Sequence, residues 1–424
     1  MDTVTDPQAA QQTRQLIPEV YILWHRKFPL GHALASRIFR WLRPGNGFGP
    51  DVFYRSLPAP GADENGLPPP LPHENRPGTG SEKALMASSR WKGSDDNRQI
   101  VLALVDEQLV ADYAWRHWLE SLVLPDTSKR IVLPVALSPV AYNLPDKLRE
   151  LNFLRPGGPP LDGVKEDSDD FETVVRSLLK QVTEVMCREL LPLSTNAKAG
   201  SLPKVNVFLS HAKADGLKPA RRLRDYIYSQ TQLSAFFDEN DIAFGSAFGS
   251  VITNSVKQGE TAALIAVRSA HYSRRPWCRR EFSLFRNPVE APTDSRNWRL
   301  FPALIVEAMD GRELSHGIPE MGNCPIIRWT ESDQTLEELV ITTLIRDAML
   351  ASFHSMFASS FKLGKDELAI NWLPDPTTLL QLTPLREHQP CQVYYPGRGI
   401  PGQELDVLQT FFPKATFTAF EQRS

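Results

Sequence analysis

The chain runs to 424 residues, 42% of them hydrophobic and 23% charged, with a formal net charge of −3 at pH 7. That is enough chain for two or three domains with ample core, and the charge argues against a general nucleic-acid binder, which needs a basic face to neutralise phosphates. No apolar run approaches the length of a membrane span, and Cys187, Cys278, Cys324 and Cys391 lie too far apart to suggest a zinc knuckle or a disulfide framework.

In chain order, residues 1–16 are a polar tail without the features of a signal peptide, so the expected setting is the cytoplasm. The segment 17–191 alternates apolar β-rich runs with helical stretches. VYILWH at 20–25 reads as a buried strand, 31–42 as a helix and DVFYRS at 51–56 as a second strand. IVLALV at 100–105 reads as a third strand, and IVLPVAL from Ile131 as a fourth. Residues 57–80 are a Pro/Gly-rich loop that cannot form a regular element. Residues 192–203, PLSTNAKAGSLP, are small and polar and read as an interdomain linker.

The central segment, 204–350, follows the same logic. VNVFLS at 205–210 reads as a strand buried on both faces, with His211 and Asp215 on the turn after it. A helix at 217–228 leads to a strand at 235–237, which delivers Asp238, Glu239 and Asp241 to a loop closed by Gly245. A third buried strand spans 262–267, and the next helix carries Trp277 and Glu281. On that helix Cys278, Phe282 and Phe285 have i, i+4, i+7 spacing and should face the core. Trp277 and Glu281, four apart, share a neighbouring face, and Pro276 suits the first turn. Acidic and aromatic groups thus collect after the carboxyl ends of parallel strands, where open α/β sheets bind ligands. A helical run at 336–361 closes the segment. The last stretch, 351–424, shows a β-α-β-α-β pattern: INWLPDP, a helix at 377–385, QVYYPG, a helix at 404–411, and ATFTAF. A small third domain and an extension of the central sheet both fit it.

Three of these motifs, in this order, resemble the Toll/interleukin-1 receptor (TIR) domain. FLSHAKAD is similar to its first strand and turn, FFDENDIAFGSAF to its second strand and mobile loop, and SRRPWCRREF to its WCxxE box, here Trp277, Cys278 and Glu281. The resemblance covers roughly a third of the chain, and departs from the family at Phe244, where a proline is common. It implies an α/β fold of flavodoxin-like parallel sheets flanked by helices. Laid on the central segment without gaps, the first segment puts Val105 on Val267 and Trp115 on Trp277. Leu119 then answers Glu281, with Glu120 one step out of register, about a 100° turn on a helix. The expected architecture is two TIR-like domains in tandem, the first degenerate, plus a small C-terminal α/β segment.

TIR domains of the enzymatic kind cleave NAD+ between nicotinamide and ribose, and the resemblance assigns the essential carboxylate to Glu281. Nicotinamide leaves a cationic ring as a neutral base, so no general acid is needed. A nearby carboxylate stabilises the oxocarbenium-like ribose, as in glycoside hydrolysis but with one carboxylate in place of two. Neither a metal nor a cofactor is called for, NAD+ being the substrate. On this reading Trp277 walls the site, Phe208 takes a flat face of nicotinamide or adenine, and Ser210, His211 and Lys213 meet the pyrophosphate or ribose. Asp238 and Phe244, on the mobile loop, complete the substrate-binding set.

Each residue also has a plainer reading. A glutamate on an amphipathic helix is usually solvated, a tryptophan is usually core, and His211 fits equally as a cap for the following helix. Asp238, Glu239 and Asp241 read better as an acidic turn than as a metal site, because no further ligands are spaced for closure. Arg274, Arg275, Arg279 and Arg280 read as a solvated patch or an assembly surface. Three functions therefore compete. One is a TIR effector of the prokaryotic immune type, which consumes NAD+ to give linear or cyclic ADP-ribose. Its activation would come from self-assembly, a partner or a small-molecule signal, with no nucleic acid or membrane involved. The second is a non-enzymatic TIR scaffold. The third makes the N-terminal copy a ligand-sensing module that controls the central one.

Overall fold

The computed structural model describes residues 18–44, 48–56, 98–125, 130–190, 206–231, 234–237, 262–291, 294–309, 318, 321, 323–397 and 399–422. The chain forms two compact units, Met1–Phe39 with Pro50–Leu178 and Arg40–Gly49 with Leu179–Ser424.

In the first unit β1 (Pro18–Trp24), β2 (Asp51–Ser56), β3 (Arg98–Val105) and β4 (Arg130–Ala136) form a parallel sheet ordered β2-β1-β3-β4. All of β1 is buried, and all of β3 but its first residue. Strands covered on both faces have no solvent side to alternate with, which is why these runs read as continuously apolar. Val135 of β4 makes an isolated parallel bridge to Leu154, a fifth strand position reduced to one residue. The helix Tyr113–Leu122 starts on Asp112, whose side chain accepts the Ala114 and Trp115 amides. Its Trp115, Leu119 and Leu122 enter the core.

The second unit supplies β5 (Asn206–His211), β6 (Ser234–Phe237), β7 (Ala262–Arg268), β8 (Val289–Ala291), β9 (Asp294–Arg299), β10 (Ala303–Glu307) and β11 (Ile326–Arg328). After these come β12 (Glu367–Ile370), β13 (Cys391–Tyr395) and β14 (Ala415–Ala419). Two sheets result. One is wholly parallel and ordered β11-β10-β7-β5-β6. Numbered by its own strands it reads 2-1-3-4-5, the flavodoxin-like winding, and the first unit has the same order over four strands.

The other sheet is ordered β14-β13-β12-β9-β8, parallel except for the β8–β9 hairpin at its edge. The C-terminal stretch therefore makes a sheet of its own, and it recruits 289–299 from inside the central segment. Nothing in DSRNWR announced β9, since only Asn297 in it is buried and no apolar alternation exists to read. The helix expected at 377–385 is two short ones, Pro376–Leu379 and Thr383–Arg386. Pro384 has no N–H to give, so it sits in the first turn of a new helix and not inside an old one.

The helix Leu336–Ser359 lies between the two sheets, touching β7 and β10 of one and β9 and β12 of the other. Packing on two sides requires apolar residues around most of its circumference, and Val340, Ile341, Leu344, Ile345, Ala348, Met349 and Phe353 are all buried. His354 is buried on the same helix with Nδ1 3.2 Å from the Asn371 carbonyl and Nε2 3.2 Å from that of Phe48. Burial pushes its pKa down to about 4, against the pull of both carbonyls. No described helix is long and apolar enough to cross a membrane.

Candidate functional site at the carboxyl edge of the central sheet

The site begins where β5 ends. Ser210 is its last-but-one residue, buried and paired in register with Ala266 of β7. Its hydroxyl donates to Glu281 Oε2 at 2.7 Å and lies 2.8 Å from the Tyr272 hydroxyl. Ser210 has one proton, and the carboxylate takes it, so Tyr272 must be the donor to Ser210 Oγ. Tyr272 also lies 3.4 Å from the Cys278 carbonyl. It is fully buried, and burial pushes its phenol well above the usual range, keeping the proton on. The result is a directed chain, Tyr272 to Ser210 to Glu281, that joins the end of β5, the turn after β7 and the helix Pro276–Phe285.

That helix places Glu281 by simple periodicity. Cys278, Phe282 and Phe285 are buried in the core as their spacing demands, and Glu281 lies between them at only 6% exposure. The Cys278 thiol donates to the His211 carbonyl at 3.6 Å, a second tie between the helix and the end of β5. Trp277 is different. It stands at the start of the helix, half exposed, with the Arg280 guanidinium 5.8 Å from its ring centre. Glu281 and Trp277 thus part company: the carboxylate turns inward beside the core row and the indole outward.

Next to this chain, Asp215 organises the turns. Ser269 Oγ donates to its Oδ1 at 2.5 Å, the His271 amide donates to Oδ2 at 2.9 Å, and His271 Nδ1 lies 2.9 Å from Oδ2. Burial raises the Asp215 carboxyl, but these bonds together outweigh it and hold the group below its ordinary value.

The remaining expected residues scatter. Phe208 is core, its ring meeting that of Phe285 at 5.9 Å in a T-shaped contact. His211 is buried but does not cap the next helix, Leu217–Gln230, which starts at Gly216 without a side-chain cap. Lys213 is exposed and lines a shallow pocket of about 400 Å³ with Asp215, Lys218 and Arg221. Asp238 and Phe244, with Glu239, Asp241 and Gly245, lie outside the described residues. Tyr272, Ser269 and His271 were not singled out from the sequence. The available signal was the polar run RSAHYS directly after a buried strand.

The same positions in the first unit are apolar. Strand ends Val105 and Arg268 differ by 163 positions, and so do helix ends Leu122 and Phe285. On that spacing Tyr272 corresponds to Leu109 and Glu281 to Trp118. Ser210 corresponds to Leu23, because Leu23 pairs with Ala103 as Ser210 pairs with Ala266. Leu23 and Leu109 are buried in one core cluster, and Trp118 packs against it. The gap-free alignment, which sets Trp115 on Trp277 and Leu119 on Glu281, differs from this spacing by one residue. It matched tryptophan to tryptophan, whereas burial matches Trp115 to Cys278 and Leu119 to Phe282.

A five-stranded parallel sheet wound 2-1-3-4-5, with a buried serine–glutamate pair at its carboxyl edge, defines a flavodoxin-like α/β domain. The family model for the TIR domain matches residues 207–340, and this part of the chain is a TIR domain. No curated protein matches the chain.

Proposed function

We propose that the protein is a TIR-type NAD+ nucleosidase with Glu281 as its essential carboxylate. The observation that carries this reading is the Ser210–Glu281 pair: a carboxylate at 6% exposure, fixed at the strand ends by a 2.7 Å hydrogen bond. A carboxylate in such a poorly solvated place acts strongly on developing positive charge. When the bond between nicotinamide and ribose breaks, its electron pair goes to the pyridinium nitrogen, and nicotinamide leaves neutral. The positive charge then sits on the ribose as an oxocarbenium ion, which Glu281 stabilises. Water adds to the sugar and gives up a proton, yielding ADP-ribose; attack by a group of the same molecule yields a cyclic product. Ser210 and Tyr272 hold the carboxylate but do not react.

In this reading the protein works in the cytoplasm in antiviral defence and is silent at rest. Self-assembly of TIR domains, a partner or a small-molecule signal turns it on. The first unit is a degenerate second copy. Its matching strand order supports that, and its apolar Leu23, Leu109 and Trp118 put no carboxylate at the position that answers Glu281. The deciding experiment is incubation with NAD+ under assembling conditions, followed by chromatography for nicotinamide and for linear or cyclic ADP-ribose. Release of nicotinamide is expected; its absence from an assembled sample would remove the enzymatic reading.

A second reading, a non-enzymatic scaffold, draws on the outer face of the same helix. Trp277 and Leu284, seven residues apart and therefore on one side, are 50% and 40% exposed. A TIR surface of this kind suits assembly. Assembly lost in Leu284→Asp, in a protein that never releases nicotinamide, would favour the scaffold.

A further inference from the structure

The second sheet of the larger unit has a carboxyl edge of its own, and a cavity of about 790 Å³ opens there. Leu300 follows β9, Asn371–Asp375 follow β12, and Gln403 and Glu404 begin the helix after β13. This is the position where open α/β sheets take ligands, and the volume suits a small organic molecule. Most of the wall is apolar, with Phe301, Leu350, Trp372, Leu373, Val407 and Leu408.

Its charges do not balance. Among the described residues, Asp347, Asp375 and Glu404 line the cavity against a single cation, Arg286. Arg286 is buried and spends a donor on the Phe301 carbonyl at 3.0 Å. Asp375 accepts the Thr378 amide at 2.9 Å, as a helix cap. Asp347 is half-buried on the helix Leu336–Ser359, and no hydrogen bond or ion pair among the described residues reaches its carboxylate. Such a group is costly unless something arrives to meet it.

We propose that this cavity is a binding site for a small organic cation, an apolar amine whose ammonium pairs with Asp347 and whose body lies against Trp372 and the leucines. The aromatic wall favours the same occupant, since ring faces attract cations. Burial raises the Asp347 carboxyl to about 6, with Arg346 on its own helix pulling the other way, so the acceptor is ionised at neutral pH. The other ionisable groups around it are Arg286, Cys324, His354, Asp375 and Glu404. His354 stays neutral, its pKa lying at about 4.

The test is isothermal titration calorimetry on the full chain with tryptamine, its neutral analogue tryptophol and the acid indole-3-propionate. Tryptamine should bind at least about tenfold tighter than tryptophol, and the acid should be rejected. Asp347→Asn should bring tryptamine down to the level of tryptophol, and lowering the pH from 7.5 to 5 should do much the same in the wild type. Val407→Trp, on the exposed outer wall, should weaken tryptamine binding by filling the cavity. No binding of tryptamine, equal binding of the three probes, or unchanged binding in either variant would each overturn the proposal.

Discussion

Ser210 Oγ and Glu281 Oε2 meet at 2.7 Å, although one lies near the end of β5 and the other in the helix that follows β7. The carboxylate is therefore positioned by the sheet as much as by its own helix. Removing either partner has separable consequences.

Glu281→Gln keeps the shape of the side chain and an acceptor for Ser210, but removes the charge. Under assembling conditions NAD+ cleavage should fall by on the order of a hundredfold or more, with the thermal transition nearly unchanged. Nicotinamide release measured by chromatography checks this, and wild-type rates in the variant would remove Glu281 from the chemistry.

Ser210→Ala leaves the charge but removes one hydrogen bond to it, and leaves the Tyr272 hydroxyl the longer approach to the Cys278 carbonyl. The loss should be about 1–3 kcal/mol of stability, read by urea denaturation, because buried polar groups are left unmet. Cleavage should drop less than in Glu281→Gln, because the charge survives.

In the first unit Leu119→Ala should cost about 2–5 kcal/mol, since Leu119 is completely buried on the core side of its helix. Glu120→Gln, on a half-buried neighbour, should leave both stability and NAD+ cleavage intact. Loss of cleavage in a folded Glu120→Gln protein would mean that the first unit takes part in the chemistry.

Two titrating groups, the half-buried Asp347 and the buried His354, should oppose each other in acid. Asp347 is raised to about 6, so the folded state holds its proton better and stability falls as pH rises from the ordinary aspartate value towards 6. His354 is lowered to about 4, so the unfolded state takes the proton first and stability falls as pH drops from 6.5 towards 4. Each slope is on the order of one proton, so in the wild type they largely cancel between about 4 and 6. Asp347→Asn should expose the histidine slope, with melting temperature dropping more steeply on acidification. At pH 7.5 the variant should be more stable than wild type by on the order of 1–3 kcal/mol.

What could be read from the sequence was decided by burial. Strands β1, β3, β5 and β7 are covered on both faces, so their residues spell out the element, and the helix Pro276–Phe285 carried its core row in its spacing. The WCxxE box located Glu281 but not its setting, because a hydrogen bond to Ser210 depends on strand register, which no local pattern encodes. Tyr272 was invisible for the same reason. β9 was missed because its partner, β12, lies some seventy residues further on and its own side chains are largely polar. Between the two units a shared tryptophan suggests one register and the burial of the positions around it another, because sequence shows identity but not which side of a helix is covered.

The route of the chain through β8 and β9 has a practical side. A fragment cut after residue 350, apt to be chosen because it contains the whole TIR match, would keep β9 and discard β12, its only parallel neighbour. It would also cut the helix Leu336–Ser359 short and bare the side of it that faces β12. An orphaned strand edge beside an uncovered apolar helix is a recipe for association between copies. Oligomers seen with such a fragment would report the cut, and studies of TIR assembly in this protein call for the chain carried through β14.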